Sequence, residues 1–127
     1  GFCATLPATD GEVGMSSDCL FCKIADGRIP STQVYNDSHY YAFRDINPAA
    51  PTHILIIPRK HIEKISDATP EDAALIGNLL LTANRVAEQE GITDFRYVIN
   101  CGVQAGQSVF HIHLHLLAGR DLYWPPG

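Results

Sequence analysis

The sequence predicts an α+β domain in which one long helix packs against an antiparallel sheet. Two observations support this fold class. Short segments rich in aromatic and β-branched residues follow one another closely, as the strands of hairpins do, and a single long helical pattern separates the first three from the last two. Strands that follow one another without intervening helices favour antiparallel pairing. The strand-like segments are 32–37, 39–46, 53–58, 95–101 and 109–117.

The helical pattern spans residues 68–92 and has a clear start and end. Thr69 suits the N-cap, Pro70 suits the first helical position, and Asp72 can complete a capping box with Thr69. Gly91 suits the position after the last turn. Apolar residues recur at intervals of three and four, which predicts one stripe that faces the sheet. The stripe comprises Leu75, Ile76, Leu79, Leu80, Ala83, Val86 and Ala87.

A short helical segment precedes the first strand. It begins near Cys19 and is expected to end at Gly27, after which Pro30 extends the backbone. Residues 1–14 mix Gly, Pro, Thr and acidic residues without periodicity, so they are expected to be a flexible tail or an expression remnant. One domain is therefore expected over residues 15–127, a length that suits a single hydrophobic core.

The overall composition favours a globular protein that binds a small ligand. Hydrophobic residues make up 46% of the 127 residues and charged residues 18%, which provides enough apolar material for a core. The net charge of -5 gives no general attraction for nucleic acid or anionic lipid. No apolar run approaches the roughly 20 residues of a membrane span, and no secretory signal pattern is present, so a cytoplasmic location is expected.

Three of the six histidines alternate with apolar residues in FHIHLHLL, residues 110–117. In a strand, His111, His113 and His115 would line one face at a spacing of about 6.6 Å, while Ile112 and its leucine neighbours would face the core. Such a row could be half-exposed surface, a His-x-His metal site, or the site of nucleophilic and acid/base chemistry. The strict alternation of three imidazoles disfavours the first alternative.

The preceding segment NCGVQAGQS, residues 100–108, favours phosphorus chemistry. Its glycines can expose backbone N–H groups, and Gln107 or Ser108 could surround an anion. A neutral imidazole attacks phosphorus and leaves again readily, which divides group transfer into two in-line steps. The loop and the histidines together therefore predict a phosphate site.

The motifs resemble those of the histidine triad (HIT) superfamily and, within it, the Hint branch of purine nucleoside phosphoramidases. The similarity runs from Asp18 to Gly127 and includes FRDINPAAPTHILIIPRKHI at 43–62, GQSVFHIHLHLLAGR at 106–120, and the terminal WPPG. This resemblance implies a HIT-like fold with a five-stranded antiparallel sheet. It also implies a homodimer whose sheets join across the subunit interface and which binds an AMP- or GMP-like nucleotide.

The resemblance assigns roles around the phosphate. His113 would attack the phosphorus of a nucleoside 5'-monophosphoramidate and form a nucleotidyl-histidine, which water would hydrolyse to release the monophosphate. His115 would contact the phosphate or the leaving group, and His53 would orient the nucleophile. Ser108 and Gln107 would bind and polarise the phosphate, while Asn100 and Gly106 would line the phosphate side of the site.

The nucleoside would occupy the earlier segments. By the same resemblance, an apolar slot holds the base, and the carboxylate of Asp45 accepts hydrogen bonds from the ribose hydroxyls. Trp124 would reach toward the site of the partner subunit. Each apolar residue of the slot is equally compatible with ordinary core packing. The slot residues are Leu20, Phe21, Ile24, Ile29, Phe43 and Ile46.

Cys19 and Cys22 form a Cys-x-x-Cys pair that many eukaryotic Hint proteins lack. Similar bacterial histidine triad proteins use such a pair in a structural zinc site, together with residues that correspond to His61 and His111. A Cys2His2 set is closed and structural, so zinc would leave no open position for catalysis. The alternative is a pair of reduced, metal-free thiols. His39 matches no motif and is expected at the surface.

Two other functions remain open from the sequence. One is the cleavage of dinucleoside polyphosphates, as in another histidine triad branch, although the WPPG terminus favours the Hint branch. The other is a nucleotide-binding interaction scaffold with little turnover. The presence of His113 and its neighbours favours an enzyme over the scaffold.

Overall fold

A computed structural model describes residues 18–127. The tail prediction for residues 1–14 lies outside this range. Over these described residues, 18–127, the chain forms two α-helices and five strands, joined by short 3-10 turns. The helices are α1 (Leu20–Ala25) and α2 (Ala73–Gln89), and the strands are β1 (Gln33–Asn36), β2 (Tyr40–Arg44), β3 (Thr52–Pro58), β4 (Phe95–Val98) and β5 (Leu114–Ala118).

The five strands form one sheet in the order β1-β2-β3-β5-β4, and every neighbouring pair is antiparallel. The predicted α+β class, with one long helix and a short N-terminal helix, is confirmed. Strands β1, β2 and β3 follow one another as a meander, while β5 inserts between β3 and β4. Strand β5 is therefore an interior strand between β3 and β4, and the residues on it are supported by neighbours on both sides.

The two faces of the sheet carry different cores. One face packs against α2, and its centre consists of Ile54, Ile56, Leu114 and Leu116, each fully buried. The opposite face is smaller and packs against α1. This second core comprises Phe21, Ile24, Tyr41, Phe43, Leu55 and Ile57. Because side chains alternate along β5, Leu114 and Leu116 enter the first core and leave His115 on the face that α1 covers.

Helix α2 begins later than the sequence pattern indicated. The predicted capping box between Thr69 and Asp72 is present, but it starts a 3-10 turn at Pro70–Asp72 that leads into the helix. The backbone N–H of Thr69 donates to Asp72 Oδ2 at 2.9 Å. Gly91 lies just after the helix with a φ of 71°, as expected for its C-terminal cap. Within residues 18–127, no helix has both the length and the apolar character needed to cross a membrane.

Strand β5 is shorter than the predicted strand 109–117. It starts at Leu114, opposite Ile56, so His111 and His113 precede it. The reason lies in β3, which ends at Pro58, a residue without a backbone N–H to continue the ladder. The N–H of Ile112 instead donates to the carbonyl of Ile62 at 2.8 Å. The first two triad histidines therefore lie on an extended segment outside the sheet.

Candidate active site and metal centre

The triad histidines divide between two adjoining clusters on the α1 side of the sheet. His113 and His115 stack edge to face with ring centroids 5.0 Å apart, and His53 of β3 lies 5.1 Å from His115. His111 instead packs against His61, at 5.0 Å, in the loop after β3. We call His53, His113 and His115, together with Asp45, the catalytic cluster. It lies beside the second core of the sheet.

The ring of His113 is held in one tautomer. Its Nδ1 lies 2.7 Å from the carbonyl oxygen of His111, and because a carbonyl only accepts, Nδ1 carries the proton. The neutral ring therefore keeps a lone pair on Nε2. Burial lowers the pKa of His113, although the hydrogen bond to His111 opposes that effect. A neutral imidazole with a free Nε2 is the form that can attack an electrophile.

The tautomer of His115 is fixed through His53. The backbone N–H of Ala49 donates to Nδ1 of His53 at 2.9 Å, so in the neutral ring the proton of His53 resides on Nε2. That Nε2–H donates to Nδ1 of His115 at 2.9 Å, which leaves the proton of His115 on Nε2. Among the described residues, His115 Nε2 is the one buried side-chain polar atom without a partner. This N–H is a donor available to a ligand.

Burial favours the neutral form of the three imidazoles in the catalytic cluster. Burial lowers the pKa of His115 to about 4, and the neighbouring His113 and His53 act in the same direction. Burial also lowers the pKa of His53, while Asp45 opposes this shift. The Oδ2 atom of Asp45 lies 3.4 Å from Nε2 of His53, and its side chain is 20% exposed. His53 thus contacts His115 and Asp45, and its role in orienting the nucleophile stays a prediction.

The loop before the histidines is braced by Gln107. The buried amide accepts from the N–H of Gly102 at 2.8 Å and donates to the carbonyls of Glu63 and Val109. Both amide protons are engaged, so in this arrangement Gln107 holds the loop. Its neighbour Ser108 is exposed.

Gly106, which precedes Gln107, lies next to Asn100, the other residue predicted to line the phosphate side of the site. Gly106 has a φ of +102°, and a Cβ there would meet the side chain of Asn100 at 3.6 Å. A residue with a side chain would be strained at this φ. The structure thus brings Gly106 and Asn100 together.

Four of the six predicted base-slot residues converge on one cluster. Phe21, Ile24 and Phe43 are buried in the second core, and Ile29 packs against its edge. Leu20 is 44% exposed and Ile46 is 90% exposed. The ring of Phe21 meets His113 edge-on at 5.0 Å, which connects this apolar cluster to the catalytic cluster. Trp124, which the resemblance directs at a partner, is 81% exposed.

The predicted metal ligands converge as a second cluster. Their four donor atoms, two Sγ and two Nδ1, all lie within 4.8 Å of one another. His111 Nδ1 is 3.3 Å from Cys19 Sγ, 3.5 Å from Cys22 Sγ and 3.2 Å from His61 Nδ1. Tetrahedral zinc with bonds of about 2.0 to 2.3 Å separates its ligand atoms by about 3.3 to 3.8 Å. The spacing therefore fits a Cys2His2 zinc site.

The hydrogen bonds around this second cluster also suit a metal. Nε2 of His111 lies 2.7 Å from the carbonyl oxygen of Pro58 and so donates to it, which leaves the lone pair on Nδ1 facing the thiols. The backbone N–H of Cys22 donates to Cys19 Sγ at 3.3 Å. Hydrogen bonding from the Cys22 thiol lowers the pKa of Cys19, and His111 and His61 act in the same direction. Such a thiolate is the form that binds zinc.

The catalytic cluster also brings three donor atoms of metal-ligand type within 4.8 Å, from Asp45, His53 and His115. Its hydrogen bonds do not suit a metal, however. The Nε2 of His53 bears a proton because Nδ1 accepts from Ala49, so His53 directs an N–H and no lone pair into the group. The same test that favours metal at His111 therefore disfavours it at His53.

The sequence did not reveal the backbone groups on which these tautomers depend. The N–H of Ala49 and the carbonyls of His111 and Pro58 set the proton positions of three imidazoles. Backbone groups are present at every position, so no sequence pattern marks them. His39, which was expected at the surface, is exposed.

The sheet order, the single long helix and the alternating histidines define a histidine triad domain. The chain belongs to the histidine triad (HIT) family. A family profile described as "Scavenger mRNA decapping enzyme C-term binding" matches residues 18–121. An uncharacterised HIT-like protein of Synechocystis is 54% identical over 114 residues, which cover 89% of this chain and 100% of that protein.

Solved structures give the same result. A HIT family hydrolase from Legionella pneumophila is 53% identical, with a TM-score of 0.84, over 87% of this chain and 100% of that chain. A histidine triad protein from Clostridium difficile is 44% identical, with a TM-score of 0.81, over 84% and 94%. A histidine triad nucleotide-binding protein from Candida albicans is 31% identical, with a TM-score of 0.68, over 83% and 77%. These similarities support the HIT-like fold.

Proposed function

We propose that this protein hydrolyses the P–N bond of purine nucleoside 5'-monophosphoramidates. The main support is that the Nε2 atoms of two adjacent neutral imidazoles differ in protonation, so that one can accept a hydrogen bond or attack and the other can donate. His113 presents a lone pair, and His115 presents an unpartnered N–H. A nucleophile beside a buried donor matches the needs of attack on a phosphoryl group, in which negative oxygens must be stabilised as the new bond forms.

The reaction proceeds in two in-line displacements. Nε2 of His113 attacks the α-phosphorus, and the P–N bond breaks as the leaving nitrogen gains a proton and departs as the amine. The N–H of His115 donates to the phosphoryl group or the leaving nitrogen. Water then attacks the phosphorus, loses a proton and displaces His113, which releases the nucleoside monophosphate. Water is the only reagent consumed, and the ring returns to its neutral form.

The nucleotide would lie along the α1 side of the sheet. Asp45 has a partly exposed carboxylate 3.4 Å from His53, on the same side as the catalytic cluster, and can accept from ribose hydroxyls. The apolar cluster around Phe21 is close to His113, as a base slot must be. The exposed hydroxyl of Ser108 is free to contact phosphate. The similar Candida albicans protein is itself a histidine triad nucleotide-binding protein.

Zinc is proposed as a structural cofactor held by Cys19, Cys22, His61 and His111. Their mutual spacing and the orientation of the His111 lone pair support this. The metal would tie α1 and the loop after β3 to the triad segment, and a closed Cys2His2 set would supply no chemistry to the reaction.

A homodimer is proposed as the functional unit. Within residues 18–127, strand β4 pairs with β5 on one side only, so its other edge offers backbone groups to a second copy. Phe95 on this strand is 38% exposed, and Tyr123 and Trp124 near the chain end are 73% and 81% exposed. Light scattering coupled to size exclusion would measure the mass, and a monomer at micromolar concentration would contradict the proposal.

The proposed activity is tested by comparing steady-state rates on adenosine and guanosine 5'-phosphoramidates with rates on diadenosine triphosphate. The expected result is a much larger kcat/KM for the phosphoramidates. Preferential cleavage of the dinucleotide would assign the site to phosphoanhydrides, and binding of AMP without turnover of any compound would assign a scaffold.

A further inference from the structure

We propose that the cluster of Cys19, Cys22, His61 and His111 positions the nucleophile. Metal bound there would fix the orientation and the tautomer of the His113 ring, although His113 is not one of its ligands. The inference rests on the proposed function only in treating His113 as the nucleophile. It extends the role of the metal from holding the fold to setting the proton position of the attacking imidazole.

The sheet does not hold the backbone on which His113 depends. The β3–β5 ladder begins with the pair Ile56 and Leu114, one residue after the nucleophile. The carbonyl of His111 that accepts from His113 therefore lies three residues outside the ladder. One backbone bond, from Ile112 to Ile62, links this segment to the loop after β3. Other contacts must fix the direction of the His111 carbonyl.

The ring of His111 supplies those contacts. It is fully buried, it donates from Nε2 to the carbonyl of Pro58, and its Nδ1 faces the two thiols and His61. Metal bound at Nδ1 would clamp the ring between the ion and Pro58. Because ring and carbonyl belong to one residue, clamping the ring also restrains the carbonyl that accepts the Nδ1 proton of His113.

A second contact links the cluster to the same ring through α1. Phe21 lies between the two cysteines in sequence, and its ring meets His113 edge-on at 5.0 Å and His111 at 6.2 Å. Ligation of Cys19 and Cys22 would hold α1, and with it Phe21, against the His113 ring. The cluster thus restrains His113 in two ways, through the hydrogen bond that Nδ1 donates to the His111 carbonyl and through the packing of Phe21 against the ring.

Loss of the metal would release both restraints. The His113 ring could then turn away from the His111 carbonyl, and its proton could move to Nε2, the atom that must attack. A misplaced reacting group can lower a rate by about a hundredfold. Hydrolysis should therefore fall in the metal-free protein even though every catalytic side chain is still present.

The test compares zinc-loaded, metal-free and zinc-reconstituted protein, in which the His113 tautomer is read from ring ¹⁵N chemical shifts by NMR. The loaded protein should show the Nδ1–H form, and the metal-free protein a mixture. Its kcat should fall roughly tenfold to a hundredfold with little change in the Kd for AMP, and zinc should restore both. Cys101→Ser, which removes a thiol outside the cluster, is the matched control and should change neither readout.

A folded metal-free protein that keeps the Nδ1–H tautomer and full kcat would overturn the proposal. If the metal-free protein unfolds, His61→Asn replaces it, since His61 is only half buried and lies outside the sheet. An unchanged tautomer in that folded variant would also overturn the proposal. The NMR readout is independent of turnover, so absence of phosphoramidase activity in the loaded wild type would reject the proposed function while leaving the positioning test intact.

Discussion

His53 donates to Nδ1 of His115 across a 2.9 Å hydrogen bond. This contact leaves the proton of His115 on Nε2, the nitrogen available to a ligand. The direction of the bond follows from the backbone N–H of Ala49, which occupies Nδ1 of His53. A chain of one backbone amide and two imidazoles thereby presents a single buried N–H toward the ligand. This contact predicts that His53 positions His115.

Replacing His53 should separate positioning from binding. His53→Ala removes the donor to His115, so kcat for phosphoramidate hydrolysis should fall by up to roughly a hundredfold, with KM changed less. His53→Gln should recover part of the loss because an amide can accept from Ala49 and donate to His115. His39→Ala, an exposed histidine, is the control. Equal loss in the Ala and Gln variants would contradict the hydrogen-bonding role.

The burial of His115 predicts an acid-labile contribution to stability. The pKa of His115 is lowered to about 4 in the folded protein, from the ordinary value of 6.5. Between these values the unfolded chain binds more protons, so the free energy of unfolding rises with pH. The contribution is present above about pH 6.5 and is lost as the pH falls toward 4.

Urea unfolding of the wild type and of His115→Gln across this range measures the effect. The wild type should lose more stability than the variant on acidification, because glutamine does not bind a proton in this range. Acid loss of bound metal is common to both proteins and cancels in the comparison. Parallel pH profiles for the two proteins would show that His115 titrates normally.

Two glycines make a matched pair for a test of the backbone. Gly119 follows β5 with a φ of +97°, and a Cβ there would lie 2.8 Å from Pro51 Cβ. Gly119→Ala should therefore destabilise the fold by about 1–3 kcal/mol. Gly77 lies exposed in α2 with open space around it, so Gly77→Ala should stabilise by about 0.5–1 kcal/mol. Thermal unfolding of both variants checks the sign, and stabilisation by Gly119→Ala would be inconsistent with this backbone.

Gln107 and Ser108 should differ although they are adjacent. Gln107→Ala removes three loop hydrogen bonds from a buried amide and should lower both Tm and kcat/KM. Ser108→Ala removes an exposed hydroxyl and should lower kcat/KM while leaving Tm unchanged. Paired calorimetry and kinetics provide the measurement. A stable, fully active Gln107→Ala protein would show that the loop does not depend on the hydrogen bonds of Gln107.

The sequence predicted the fold well because its signals were local. Aromatic and β-branched segments marked the strands, and Thr69 with Asp72 marked the start of the helical region. The predicted strand over residues 109–117 began too early because the first paired residue depends on Pro58, a distant residue on the neighbouring strand. Register between strands depends on such non-local partners, which periodicity within one segment does not report.

The candidate site was predictable as a set of residues but not as an arrangement of protons. The alternation of histidines and the Cys-x-x-Cys pair indicated which side chains matter. Which nitrogen of each ring carries the proton depends on the Ala49 amide and on the carbonyls of Pro58 and His111. These groups come from distant parts of the sequence, so only the folded chain brings them to the imidazoles.

The most direct test of the central claim is to trap the covalent intermediate. Wild-type protein mixed with excess adenosine 5'-phosphoramidate is quenched on the millisecond scale and digested, and the adduct is located by mass spectrometry under conditions that preserve phosphoryl-histidine bonds. The prediction is a nucleotidyl adduct on His113 that forms and decays at rates consistent with turnover, with no adduct or turnover in His113→Ala, which still binds AMP. An adduct on another residue, or undiminished hydrolysis by His113→Ala, would contradict the mechanism.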